Sequence, residues 1–447
     1  MDFKEFKNIL FEKALNEGFE DCEIYYTDGE DISITVYEGE VEKYNLDKSF
    51  GLSFRGMLNG KMGYSYTEIL DDKAIDMLIK NAKEVSKCIE STDEQFIYEG
   101  DKNYSKVQTY SEKLENIDAA ELIEIALDLE KQTKEYSDKV VNISSCKVSY
   151  SSSKNGIYNT KGLELSNKGN LIIAYVIPIV EGNNEKQDGM GYKIADSLEE
   201  IDTKEIAKQG VKEALSKLGG STISSGNYKT IVYNEAMASL LETFADIFSG
   251  EAAQRGLSLL KGKEGEIIAS DIVSIVDDPL LDKGLASTPF DDEGVATFKK
   301  DIVSNGVLNT LLHNLKTAHK VNVKTTGNGF KASYSSPVSV EPTNFYIEKG
   351  EASIKELMEE IKDGIMVTDF AGLHSGANSV TGDFSLAAKG FYIKDGKKEY
   401  PVEQITVAGN FFDLLKNIKF IGNDLNFPIS SVGSPSVIVE GLSIAGK

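Results

Sequence analysis

The sequence predicts an α+β fold. An N-terminal α/β domain of mixed or antiparallel sheets, with a candidate internal duplication, spans residues 1–218; a linker follows at 219–226, and a β-rich, barrel-like C-terminal domain covers 227–447. Three observations predict it. In the first half, short alternating apolar runs lie between segments of helical periodicity. Gly219-Gly220-Ser221-Thr222-Ile223-Ser224-Ser225-Gly226 is the clearest run of small, flexible residues in the chain. Beyond it, strand patterns dominate and helices are short. A length of 447 residues is compatible with two large domains or three smaller ones, at about 150 residues per domain.

Taken in order, Phe3, Phe6, Ile9, Leu10 and Ala14 recur at helical spacing and Gly18 follows as a stop signal, so residues 3–16 form a helix. From 24 to 66 the pattern alternates, as in Ile32, Ile34 and Val36. Turn signals at Asp28-Gly29, Glu38-Gly39 and Asn59-Gly60 predict several antiparallel strands. Asp71 caps a helix reaching about residue 87, a polar stretch from 90 to 112 connects onward, and a helix over roughly 117–135 leads into strands from Val140, with turns at Asn155-Gly156 and Lys161-Gly162. Helix, strands and helix thus occur twice, and Met62-Gly63-Tyr64 recurs as Met190-Gly191-Tyr192 before the second closing helix. Past the linker, residues 229–233 form a strand. Met237, Leu240, Leu241, Phe244, Ala245 and Phe248 then make one apolar helical stripe, and further helices are expected near 308–320, 353–362 and 411–417.

Composition excludes several classes. The chain carries 48 basic against 72 acidic side chains, a formal charge of −24, and no local basic patch, so nucleic acid is not an expected partner. Charges in the first seven residues leave no room for an export signal, and the longest apolar run, 171–180, is too short for a membrane helix and contains Pro178; it reads as a strand. Three cysteines, Cys22, Cys88 and Cys146, at wide spacing suit neither a disulfide framework nor a structural zinc site, which implies a reducing cytoplasm. There is no P-loop, nucleophile elbow or dinucleotide fingerprint. Of the three histidines, His313 and His319 would lie about 120° apart on a helix, too divergent for one metal. His374-Ser375 lacks an orienting acid, so the better reading of 371–382 is a glycine-rich loop whose backbone holds an extended ligand, with Gly376, Asn378, Thr381, Gly382 and Asp383 as groove residues. Acidic pairs such as Asp71-Asp72, Asp277-Asp278 and Asp291-Asp292-Glu293 read mostly as solvated turn or cap residues. The last of them, before Gly294 in a loop-like segment, merits closer inspection.

Several segments, in this order, resemble the TldD/PmbA proteins, long called modulators of DNA gyrase and viewed as peptidases. They are Pro289-Phe290-Asp291-Asp292-Glu293-Gly294-Val295, Gly306-Val307-Leu308, Thr326-Gly327-Asn328-Gly329, His374-Ser375-Gly376-Ala377-Asn378-Ser379-Val380-Thr381-Gly382-Asp383-Phe384 and Ile421-Gly422-Asn423-Asp424-Leu425. The resemblance implies two kinds of subunit. The TldD kind carries a His-Glu-x-x-x-His zinc motif on the helix after the linker and a cysteine ligand near the C-terminus. The matching segment here is Asn234-Glu235-Ala236-Met237-Ala238-Ser239, a degenerate metal motif in which Asn234 and Ser239 replace both imidazoles, and residues 422–435 contain no cysteine. Asn234 as N-cap and Glu235 in the first turn have adequate structural roles.

The pattern is therefore similar to the PmbA kind, also called TldE. By resemblance, the expectation is a chain with no metal of its own, paired with a zinc-bearing TldD-like subunit as a heterodimer, or with itself as a homodimer, around a cavity that admits small or unfolded peptides. Two other readings stay open: a self-sufficient peptidase built on Glu235 and His374, and a homodimeric peptide-binding protein.

Overall fold

A computed structural model describes residues 1–89 and 95–447; residues 90–94, the start of the expected polar connection, lie outside the described residues. The fold is α+β. The first half holds helices α1 (Phe3–Asn16), α2 (Asp72–Cys88), α3 (Ala119–Tyr136) and α4 (Thr203–Ser216). Its strands are β1 (Cys22–Tyr37), β2 (Glu40–Leu58), β3 (Lys61–Thr67), β4 (Val140–Asn159), β5 (Glu164–Gly182), β6 (Glu185–Asp188) and β7 (Gly191–Ala195). The sheet runs β3-β2-β1-β4-β5-β6, and β7 also pairs with β5. Two helix–strands–helix units therefore meet where β1 runs antiparallel to β4.

The Met-Gly-Tyr repeat has one physical meaning in both units. A Cβ on Gly63 would stand 2.0 Å from the carbonyl oxygen of Ala82 in α2, and one on Gly191 would stand 1.9 Å from that of Ile206 in α4. Each glycine lets the closing helix lie directly on the sheet. Gly191→Ala is expected to cost about 1–3 kcal/mol, since helix and strand must separate to admit the methyl group; urea denaturation of the full chain measures it.

The turn at Glu38-Gly39 forms as expected: φ values of 54° and 82° match the left-handed pair of a type I′ hairpin. Two other expected turns do not form. Asp28 and Gly29 lie within β1, paired to β2 and β4 at once, and Gly156 lies within β4. The reason is packing: a Cβ on Gly156 would meet the Tyr26 ring at 2.6 Å, so that glycine makes room for a neighbour rather than reversing the chain.

Beyond α4, the 219–226 segment is tied down at several points. Ser221 N–H donates to Pro401 at 3.1 Å, and Lys447 N–H donates to Ile223 at 2.8 Å. β8 (Gly226–Val232) then enters a closed five-strand barrel. It pairs in parallel with Gly364–Ala371 and antiparallel with Val437–Ala445, while Lys397–Asn410 closes the ring by joining both Asp383–Lys394 and Val437–Ala445. Period-two alternation splits the strands between two cores. Ile231, Met366 and Ile438 pack on the helix Ile354–Ile361, whereas Val232, Val367 and Val439 join the cluster that contains α5 (Asn234–Phe244).

The apolar stripe on α5 is buried throughout, and its final turn, Ala245–Phe248, tightens to a 3₁₀ helix. The helix expected over 308–320 is shorter. Val307–Leu308 is a strand and the helix is Leu315–Val321, because Asn314 caps it by accepting the Thr317 N–H at 2.8 Å. His313 consequently lies ahead of that helix, buried, with Nδ1 3.1 Å from Thr317 Oγ1, and burial pushes its pKa down. Among the described residues no helix is long and apolar enough to cross a membrane.

Candidate functional site

β8 and Gly364–Ala371 run in parallel, so the segments that follow them emerge at one end of the barrel. Tyr233 N–H donates to Val367 at 2.9 Å and fixes the start of α5 against its neighbour. Asn234 is the first helical residue and Tyr233 holds the cap position, so the expected N-cap role shifts by one residue. Asn234 Oδ1 accepts the Glu235 N–H at 2.7 Å, while Nδ2 donates to Asp424, at 2.9 Å to its carbonyl and 3.3 Å to its carboxylate. Asp424 also accepts from Ser436 N–H at 2.9 Å and Ser436 Oγ at 2.7 Å, and Ser436 Oγ accepts the Asn234 N–H at 3.0 Å. Asp424 is thus the anchor of the helix start, which accounts physically for the Ile421-Gly422-Asn423-Asp424-Leu425 segment.

Glu235 accepts from Asn426 Nδ2 at 3.2 Å and hydrogen-bonds with the Tyr192 hydroxyl; Asn426 Nδ2 also lies 3.3 Å from that hydroxyl. Burial, then the charges of Glu213 and Asp369, raise the Glu235 pKa, and Lys217 opposes them. Lys217 bridges those two acids, at 2.7 Å to Glu213 and 3.4 Å to Asp369. Burial likewise pushes Tyr192 up to about 12. Glu235 is therefore a half-buried carboxyl, its pKa raised above the usual value, among partners from both halves of the chain. A cleft of about 490 Å³ opens from the same elements, lined by Ile194 and Ala195 of β7, Phe427, Ser430, and the sheet residues Ser151 and Asn170.

Zinc does not fit the Asn234-to-Ser239 segment. The Asn234 amide points hydrogens at Asp424, and Ser239 Oγ donates to the Glu235 carbonyl at 2.9 Å, so neither aims a lone pair at a shared point. Among the described residues, no three His, Cys, Asp or Glu side chains gather in a way that could hold a metal ion.

The groove candidates lie on the segment after Gly364–Ala371. Leu373–Gly376 is one helical turn beside α5, with His374 exposed, so the structure brings Glu235 and the His374 segment to the same end of the barrel. Gly376 sits close to the strand that follows, where a Cβ would stand 2.5 Å from the Ser385 carbonyl. Asn378 Oδ1 accepts the N–H groups of Val380 and Thr381, Thr381 Oγ1 donates to Asp383 at 2.8 Å, and Asn410 Nδ2 donates to Asp383 and to the Thr381 carbonyl, each at 2.9 Å. Hydrogen bonds from Asn410 and Thr381 hold the Asp383 pKa below its usual value. Gly382 completes this knot with φ 83°.

The acidic residues divide. Asp71 caps α2, accepting Ala74 N–H at 2.8 Å, as expected. Asp277 and Asp291-Asp292-Glu293, by contrast, are buried rather than solvated. Asp277 pairs with Lys300 at 2.9 Å and accepts from Thr343 and Asn328. Asp291 accepts three backbone N–H groups, from Glu293, Val295 and Gly329; Asp292 accepts from Lys331 N–H at 2.9 Å, and Glu293 from Leu315 N–H at 2.7 Å. The first half meets them with Tyr25, Asn155 and the buried pair Arg55–Glu23, separated by 2.6 Å. Burial raises all three acids, Asp292 up to about 6, and pushes Lys331 down to about 8. These residues form the polar seam between the two halves.

Family models match three stretches of the chain: PmbA/TldA metallopeptidase domain 1 at 22–86, the central domain at 112–218 and the C-terminal domain at 225–446. A protein of Thermotoga maritima described as a modulator of a DNA gyrase superposes with a TM-score of 0.93 at 34% identity, over 99% of this chain and 100% of that one. The chain belongs to the PmbA/TldD family. The metalloprotease PmbA of Escherichia coli O157:H7 is 31% identical over 270 residues, which is 60% of this chain and 57% of that protein, so this match spans little more than half of that relative. A PmbA homologue of Haemophilus influenzae is 26% identical across 95% of this chain and 92% of its own. TldE of Thermococcus kodakarensis shares the fold, with a TM-score of 0.90 at 22% identity, 99% of this chain and all of that one.

Reading the sequence for PmbA/TldD character missed Asp424, Tyr192 and Asn426 as partners of the α5 start. Each had a signal: Asp424 lies in a recognised segment, and Tyr192 belongs to the repeated Met-Gly-Tyr. Arg55 and Glu23 carried none.

Proposed function

We propose that this PmbA/TldD family chain is the PmbA/TldE-like subunit of a zinc metallopeptidase complex that degrades or matures small or unfolded peptides. In this reading it supplies cavity wall and substrate groove, and the catalytic zinc resides in a TldD-like partner. The observation that carries it is the degenerate motif: where the zinc-bearing kind has two imidazoles, Asn234 and Ser239 are committed as hydrogen-bond donors. The cleft lined by Ile194, Ala195 and Phe427, on the segments that also carry Tyr192 and Asn426, and the exposed His374 segment support the peptide groove. Residues 1–218 and 227–447 act as its two domains, and the complex works in the cytoplasm as a heterodimer, or as a homodimer where no zinc-bearing relative exists.

The test is peptide cleavage by this chain alone, by a zinc-bearing relative alone and by the co-purified pair. Cleavage confined to the pair supports the proposal, and equal cleavage by the chain alone overturns it. On the exposed segment, His374→Ala should leave the melting temperature unchanged while raising the KM of the pair by about tenfold, as loss of one binding contact does. Unchanged kinetics would remove His374 from the groove.

A further inference from the structure

β2 has an open edge. It pairs with β1 along its length, but β3 covers only Leu52 to Leu58, and residues 40–49 are all exposed. An uncovered strand edge invites pairing by another strand, and proteins usually blunt it with charge or with a bulge. Here a register shift does occur near Val36, opposite 41–43, yet Val41, Tyr44 and Leu46 remain 40–47% exposed on the strand.

Tyr44 and Leu46 lie opposite Ile34 and Ile32 of β1, hence on the sheet face that α3 covers. The apolar face of the sheet therefore continues past the helix onto uncovered strand. The charges along this edge are arranged symmetrically. If two copies pair antiparallel about Asn45, Lys43 faces Asp47, Glu42 faces Lys48, and Tyr44 faces Leu46, each pair occurring twice. Slipping the register by one residue in either direction sets Glu42 against Asp47 or Lys43 against Lys48. Only the centred register joins both opposite-charge pairs with the apolar pair, which specifies register as well as partner.

We propose that two copies of this chain associate through antiparallel β2–β2 pairing centred on Asn45. The two-fold axis is natural to the contact, since an antiparallel pair of identical strands is isologous. Tyr44 and Leu46 of both copies then form one apolar cluster continuous with Ile32 and Ile34, and the two sheets become one. The contact is small, so the dimer dissociates on the micromolar scale. It names the surface for the self-association stated above and does not depend on the peptidase reading.

Sedimentation of the full-length protein across roughly 1–100 µM tests it. The wild type should show a concentration-dependent dimer. Lys43→Glu places like charges opposite one another twice and should weaken the dimer by about tenfold, with an unchanged circular dichroism spectrum. Lys43→Glu combined with Asp47→Lys restores the opposite pairing and should restore the dimer. A monomer at the highest concentration, a dimer insensitive to Lys43→Glu, or a swap that fails to restore association would overturn the proposal. Cleavage assays of the same variants with a zinc-bearing partner separate this outcome from the subunit reading, which stands if activity persists without self-association.

Discussion

Arg55→Ala will destabilise the protein by about 3–5 kcal/mol, because it leaves Glu23 buried and without its cation. Glu23 is 2% exposed, and its other partner is Asn159 Nδ2 at 3.2 Å. Arg55 also lies beside Glu293, so its removal raises the cost of burying that acid as well. Arg55→Met with Glu23→Gln removes both charges and should recover most of the loss, which separates an unpaired charge from lost packing. Urea denaturation monitored in both halves is the measurement. The pH dependence follows from the same residues. Asp292 is held up to about 6 by burial, whereas an unfolded aspartate titrates near pH 4, so the folded state binds the extra proton between those values. That contribution is fully present below about pH 4 and is lost as pH rises through about 6, a decline of about 3 kcal/mol. Asp292→Asn should remove it, leaving the smaller slope due to Asp291 and Glu293, whose carboxyls burial also raises.

How far the sequence discloses this molecule depends on how local each cause is. α1 was legible because Phe6, Leu10 and Ala14 bury one face at helical spacing, and the α5 stripe was legible for the same reason. The repeated helix–strands–helix order was legible too, while the cause of the Met-Gly-Tyr repeat, two glycines each under a helix backbone, needed coordinates. Misreadings arose where a residue answers to a distant neighbour. Gly156 looked like a turn because the Tyr26 ring beside it is far away in sequence. Asp291-Asp292-Glu293 looked solvated because Arg55, Lys331 and Leu315, which meet them, are scattered along the chain. At the candidate site, Asn234, Glu235 and Ser239 were found by pattern, but Asp424, which holds Asn234, is 190 residues away. Local periodicity carries no information about such pairs.

Asn234→His combined with Ser239→His will not convert this chain into a zinc peptidase: elemental analysis after dialysis should find well under one zinc per chain, and peptide cleavage should stay at background. Catalytic zinc needs three protein ligands converging on one point with a fourth position open. The two new imidazoles would leave an ideal helix about 140° apart, so they converge only if the surroundings steer them. The surroundings steer the first one away. Position 234 is 6% exposed and faces the Asp424 carboxylate, which would accept an imidazole N–H and hold the ring toward 424–436. No cysteine lies in that stretch to supply a third ligand, and Glu235 is already engaged by Asn426 and Tyr192. Adding a zinc-bearing relative to the same variant should bring activity to the level of the wild-type pair, provided that α5 still folds. Stoichiometric zinc with cleavage by the variant alone would mean that this site is two substitutions from catalysis, and the assignment of the chemistry to a partner subunit would fail.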